Sequence, residues 1–131
     1  MSIFAYGQTS TGKTYTMRGT NQNLNGIIPL SIKEIFSLFQ NPSITKSTIK
    51  VSYAEIYNET VNDLINTSKK NLEIRESVAK GVFVNNLTEI EVDDYDKVIK
   101  ILNAGESNRI IAETKLNEKS SRSHTIFKIN I

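Results

Sequence analysis

Gly7-Gln8-Thr9-Ser10-Thr11-Gly12-Lys13-Thr14 is the stretch on which the fold turns. It matches G-x-x-x-x-G-K-[ST], a loop built to wrap phosphate. The spacing has a physical reason. Glycine at each end lets the backbone bend tightly enough for successive N–H groups to face phosphate oxygens. A helix opening at Gly12-Lys13-Thr14 turns its positive end towards the same point. Lys13 brings a point charge to the outer phosphates, and Thr14 offers a hydroxyl to Mg²⁺. At ordinary residue frequencies a chain of this length meets the pattern by accident roughly once in two hundred times. The apolar run Ile3 to Tyr6, stopped by Gly7, reads as the end of a buried strand, the approach such a loop requires. Gly7, Gln8, Thr9, Ser10, Thr11, Gly12, Lys13 and Thr14 are therefore the candidate nucleotide contacts. The loop alone does not choose among kinases, GTPases, ATPases and motors.

Downstream of the loop, Thr, Asn and Gly cluster between Gly19 and Gly26 and should break the first helix. Pro29 suits the first turn of a second helix running to about Gln40. Its apolar face is Ile28, Ile32, Ile35, Phe36 and Phe39, at helical spacing. Asn41-Pro42-Ser43 is a turn. Thr48 to Tyr57 reads as a long strand, with Ile49, Val51, Tyr53 and Tyr57 on one face and Ser52, Ala54 and Ile56 on the other. Shorter strands are expected at Leu72 to Arg75, Val82 to Val84 and Thr88 to Val92. Asp93 or Asp94 suits the cap of a helix whose apolar positions are Val98, Ile101 and Leu102. Asn108 to Lys119 is polar and weakly patterned, and reads mostly as loop. His124 to Ile131 reads as a strand, with Phe127, Ile129 and Ile131 alternating. The whole is an α/β pattern: a central sheet flanked by helices, of the phosphate-loop NTPase type, cut short at both ends.

Composition fits one globular domain. The 131 residues are 38% hydrophobic and 23% charged, which argues against disorder. A formal charge of +2 is too mild to imply nucleic acid. With no cysteine and one histidine, a disulfide framework is excluded and a zinc site has almost no ligands to draw on. No apolar stretch reaches the length of a membrane span, and the apolar start lacks the basic flank and cleavage site of a signal peptide. The cytosol is the compartment that fits. The Asn-x-Ser/Thr triplets at Asn58, Asn66 and Asn86 then read as accidents of an Asn-rich sequence.

Asn117-Glu118-Lys119-Ser120-Ser121-Arg122-Ser123-His124 is the second motif. By composition it is a polar, hydroxyl-rich loop ahead of a strand. Beside the phosphate loop, it closely resembles the switch I loop of kinesins, N-x-x-S-S-R-S-H. Four other stretches carry the same resemblance: Phe4 to Thr9, Gly12 to Met17, Gly26 to Pro29, and Glu55 to Glu59 followed by Asp63-Leu64-Ile65. The likeness extends over essentially all 131 residues. Glu113 to Asn117 leading into Ser120 to Phe127 looks most like the centromere-associated kinesin-7 branch. Myosins have a similar switch, but Ser123-His124 and Glu55 to Glu59 favour kinesin.

The resemblance implies an ATP- and Mg²⁺-dependent microtubule motor. Asn117 would help hold the phosphates. Ser120 and Ser121 would close on the γ-phosphate, the Mg²⁺ shell and the attacking water, with Ser121 joining Thr14 as a Mg²⁺ ligand. Arg122 would pair with an acidic residue in switch II. Glu76 to Gly81 falls where kinesins place a tubulin-touching loop, which makes Lys80 a candidate contact with the acidic microtubule surface; a solvated lysine is the plainer alternative. His124 is expected to serve packing or hydrogen bonding at a strand start. The family's motor domain is longer than this chain, with an adenine-side strand before it and D-x-x-G-S-E, the main microtubule helix and the neck linker after it. The resemblance thus implies part of a cytoplasmic, microtubule-bound homodimer held by a stalk outside the chain; the branch adds spindle or kinetochore. Neither nucleic acid nor membrane is an expected partner. Two alternatives stand beside the motor: a truncated or degenerate nucleotide-binding piece or pseudo-motor, and another phosphate-loop enzyme such as a small-molecule kinase.

Overall fold

In the computed structural model the described residues are 1–20, 23, 25–40, 48–116 and 123–131, with side chains of 111–116 left outside the description. They form two compact units, Met1–Lys46 and Ser47–Ile131.

In the first unit, residues 1–7 take no regular secondary structure. The strand expected at Ile3 to Tyr6 is not formed. A strand exists through its ladder, no described strand pairs with this segment, and Phe4 and Tyr6 are exposed. Helix α1 (Lys13–Arg18) follows the phosphate loop. It stops at Gly19, whose φ of 85° departs from helical geometry while its N–H bonds Tyr15 O at 2.7 Å. Helix α2 (Ile27–Phe39) starts at Gly26 and carries Pro29 in its first turn. A side chain at Gly26 would lie 2.3–2.5 Å from the backbone of Arg18 and Gly19, so only glycine lets α2 begin against the end of α1. Pro29 and Ile32 are buried, and Ile28, Ile35, Phe36 and Phe39 are half-buried, so the expected apolar stripe is the inward face.

The second unit is organised around strand β1 (Ile49–Tyr57). Along one edge it pairs antiparallel with β6 (Ser123–Asn130), from Lys50 opposite Asn130 to Tyr57 opposite Ser123. Two short strands share its other edge. β2 (Thr60–Asp63) takes Ala54 to Tyr57, and β5 (Ile90–Val92) takes Ile49 to Val51, both antiparallel. β2 had no counterpart in the sequence reading. It arises because Asn58 and Glu59, at φ 45° and 62°, make the two-residue turn whose twist suits a hairpin. β3 (Ile74–Ser77) and β4 (Gly81–Val84) form a separate hairpin. Its three-residue loop, 78–80, is followed by Gly81, the first residue of β4, whose φ of 64° is left-handed.

Helix α3 (Tyr95–Leu116) starts where expected, with Asp94 as cap: its Oδ1 accepts from Lys97 N at 2.8 Å. It runs to Leu116, so the loop expected from Asn108 is helical as far as that residue. One tertiary bond and one pair within the helix compensate for the weak apolar pattern there. Asn108 Nδ2 donates to Leu64 O at 2.8 Å, and Arg109 pairs with Glu106 one turn back. Val98, Ile99 and Leu102 are buried and Ile101 only half-buried. With Ile49, Val51, Tyr53, Val61, Leu64 and Val92 they form the core of this unit.

Candidate functional site

The phosphate loop is built by backbone conformations that most residues avoid. Gly7 and Gly12 have φ of 153° and 89°, and Ser10, between them, has 67°. A serine in the left-handed region is uncommon, and such positions gather at ligand-binding turns. The turn is closed at its base: Thr11 N and Thr11 Oγ1 both donate to Gln8 O, at 3.3 and 2.8 Å. A side chain at Gly7 would meet Thr11 Oγ1 at 2.7 Å, so the loop's first glycine leaves room for its own closure. α1 then starts at Lys13, and its first intrahelical bond runs from Thr16 N to Gly12 O at 2.9 Å.

Lys13 turns back over this loop. Its Nζ donates to Gly7 O at 2.8 Å and to Gln8 O at 2.6 Å. The ammonium thus rests on carbonyls at the loop's start, within the span an anion would occupy. Thr14 is exposed beside it. The donor set is one cation, backbone N–H groups and hydroxyls, with no carboxylate between Gly7 and Thr14. That chemistry fits a polyphosphate. Among the described residues no group of three His, Asp or Glu could hold a metal. A single hydroxyl at Thr14 fits Mg²⁺, which takes few protein ligands and the rest from phosphate and water.

The second motif is only touched by the structure. Asn117, Ser120, Ser121 and Arg122 lie outside the described residues. The motif's last two residues open β6: Ser123 opposite Tyr57, His124 opposite Ile56. Of the packing or hydrogen bonding expected of His124 at a strand start, packing is not seen, because its side chain is exposed. Lys80 lies in the β3–β4 loop, exposed, with its N–H on Ser77 Oγ at 3.1 Å and its ammonium 5.4 Å from the Phe83 ring centre. Val78 at the same tip is fully exposed.

Two polar clusters escaped the sequence reading. Asp63, buried, accepts three backbone N–H bonds: Ile65 and Asn66 on Oδ1 at 2.8 and 2.9 Å, and Thr88 on Oδ2 at 2.8 Å. It ties the end of β2 to the approach of β5. Glu106, also buried, takes the Tyr53 hydroxyl at 3.2 Å on Oε2 and the Arg109 guanidinium on Oε1, from Nη2 at 2.5 Å and Nε at 3.1 Å. Burial, then the Glu106 charge, push the Tyr53 hydroxyl up to about 12. The available signal was local: a Glu-x-x-Arg pair at helical spacing after a glycine.

A loop of phosphate-loop sequence entering a helix, and a sheet ordered on one long strand, define a mixed α/β protein of the phosphate-loop type. The kinesin motor domain family matches residues 1–131. Kinesin-related protein 4 of Dictyostelium discoideum is 50% identical over 134 residues, covering 99% of this chain and 7% of that protein. Kinesin-like protein KIN-7L of Oryza sativa subsp. japonica is 48% identical, covering 99% of this chain and 20% of that protein. A solved structure of a fast kinesin superposes with a TM-score of 0.90 at 40% identity, over 96% of this chain and 37% of that one. The chain belongs to the kinesin motor domain family, and its fold is a part of the kinesin motor fold. It spans 7% and 20% of the length of the two relatives named.

Proposed function

We propose that the chain is the ATP-binding part of a microtubule motor, acting with Mg²⁺ in an ATP hydrolysis that drives movement along microtubules. The observation that carries this is the phosphate loop: left-handed turns at Ser10 and Gly12, and Lys13 folded onto Gly7 and Gln8, within a chain of the kinesin family throughout. Gly7 to Thr14 would wrap the phosphates. Lys13 would leave its two carbonyls for phosphate oxygens, and Thr14 would join the Mg²⁺ shell. Asn117, Ser120, Ser121 and Arg122 are the proposed switch I residues, with Ser121 a second Mg²⁺ ligand. ATP with Mg²⁺ supplies the phosphoryl group; what the protein contributes to such a transfer is placement and neutralisation of charge.

The partner is the microtubule. Lys80, on an exposed hairpin tip, is the proposed contact with its acidic surface, and cytoskeletal association follows. A homodimer through a stalk outside this chain remains part of the reading. Relatives named as KIN-7 from rice and Arabidopsis, 48% and 46% identical, support the kinesin-7 branch and with it a spindle or kinetochore site; kinesin heavy chains at 46% and 42% stand close beside them.

The test is ATP turnover by the full-length protein with and without microtubules. Hydrolysis stimulated by microtubules is expected, and none in their presence would sink the reading. Lys13→Ala removes a charge-assisted bond to phosphate and should weaken Mg·ATP binding by about 10- to 100-fold. Unchanged affinity, measured by calorimetric titration, would remove Lys13 from the site.

A further inference from the structure

The buried cluster around Glu106 has no part in the phosphate loop and no assigned role. It sits where three elements meet. Tyr53 from β1, Glu106 and Arg109 from α3, and Ser123 at the start of β6 form a continuous polar chain. Glu106 and Arg109 side chains are 8% and 13% exposed, so the pair is nearly dry. Arg109 Nη1 reaches Ser123 Oγ at 3.5 Å. The helix is seated tightly at this level. A side chain at Gly105 would lie 2.3 Å from Tyr53 Cδ1, and Asn108 is bonded to Leu64 O at 2.8 Å. Leu64 N in turn bonds Tyr53 O at 2.9 Å.

A buried Glu–Arg pair is a poor way to gain stability, because desolvation offsets most of the attraction. It is a good way to fix orientation. Glu106 presents one oxygen to the fork of Arg109 and the other to the Tyr53 hydroxyl, so neither the carboxylate nor the guanidinium is free to rotate. The part of the protein oriented this way is the last stretch of α3 and the first residue of β6. These are the two described ends nearest in sequence to Asn117–Arg122.

We propose that Glu106 is a positioning residue for nucleotide turnover: it holds Arg109 against Ser123 and so fixes α3 and β6 where they flank Asn117–Arg122. The proposal rests on the ATPase reading given above. Glu106 touches neither nucleotide nor metal in this role. It acts through Arg109, and its removal should slow the chemical step more than it weakens ATP binding.

The experiment is steady-state ATP hydrolysis by the full-length protein, with microtubules, for wild type, E106Q, R109K and the double variant. E106Q keeps the shape and an acceptor for Tyr53 but loses the charge that holds Arg109. It should lower kcat about tenfold with KM for ATP within about twofold of wild type, as expected of displaced rather than missing site groups. R109K, which keeps charge but loses the fork, should fall by a similar factor. The double variant should be no worse than either single, because both break one link. Wild-type kcat in E106Q, or losses that multiply in the double variant, would overturn the proposal while leaving the ATPase reading intact. A wild-type protein without turnover would instead overturn that reading, and this proposal with it. Should E106Q not fold, Glu106→Asp keeps the charge and shortens the reach; a kcat lowered about threefold at unchanged KM supports the proposal, and full activity overturns it.

Discussion

Tyr53 serves two purposes at one position, and they pull its chemistry in one direction. Its ring meets Phe127 edge to face, with centroids 5.4 Å apart and planes at 78°. Its hydroxyl points at the buried carboxylate of Glu106. Burial and that negative charge both disfavour phenolate, which raises the group from 10.0 to about 12. The folded protein therefore holds this proton over a pH range in which the unfolded chain has released it. The raised value contributes stability that is fully present below about pH 10 and is lost as pH rises through about 12; two units correspond to about 2–3 kcal/mol. Tyr53→Phe keeps the ring contact and removes the titration. The variant should therefore lose less stability than wild type between pH 10 and pH 12, and its phenolate absorbance titration should lack a late step. The measurement is denaturant unfolding at a series of alkaline pH values. Parallel losses in the two proteins would mean that Tyr53 ionises like an ordinary tyrosine.

Elements with a strong repeat were legible before any coordinate. Ile28, Ile32, Ile35, Phe36 and Phe39 keep helical spacing, and α2 forms on them. Ile49, Val51 and Tyr53 alternate with Lys50 and Ser52, and β1 forms there. Where an element depends on partners distant in the chain, local pattern gave the wrong answer. The end of α3 is polar, yet Leu64 and Ser123 give it bonds across the fold. Ile3 to Tyr6 is apolar, yet a strand needs a ladder and no described strand supplies one. β2 hinges on a single turn at Asn58-Glu59, which carries neither of the glycines that usually mark it. The start of α3 shows the opposite case, a local signal that suffices. Asp94 Oδ1 meets Lys97 N at 2.8 Å, and the pair Lys97–Asp93 adds an exposed contact to the same turn. That exposed pair contributes little, and the cap is the larger effect. Asp94→Ala should cost about 1 kcal/mol, and Asp94→Ser should recover most of it, because serine also caps. Thermal unfolding of the three proteins tests this. Equal loss in both variants would assign the effect to charge near the helix end and not to the hydrogen bond.

The phosphate-loop pattern lies in eight adjacent residues, because wrapping a phosphate calls for successive backbone N–H groups. The Glu106 cluster does not, because Tyr53 and Glu106 are 53 positions apart and meet only through the packing of α3 on β1. That packing has a consequence for the whole second unit. Its four-stranded sheet has no strand independent of β1: β2, β5 and β6 all pair with it, and α3 rests on it. Removing any one neighbour exposes the rest, so this sheet and α3 should unfold in a single transition. Leu102 is the position to probe, since it is 1% exposed and is part of the buried face of α3. Leu102→Ala leaves a cavity and should cost about 2–5 kcal/mol, a large part of the roughly 5–15 kcal/mol that holds an ordinary domain folded. If β1 is the common support, the loss will move the helical far-ultraviolet signal and the tyrosine fluorescence together, with one midpoint and an unchanged denaturant slope. If α3 melts first, the helical signal will fall at lower denaturant than the tyrosine signal. In that event the helix would be an appendage on the sheet, and the cooperative account of the unit would be wrong.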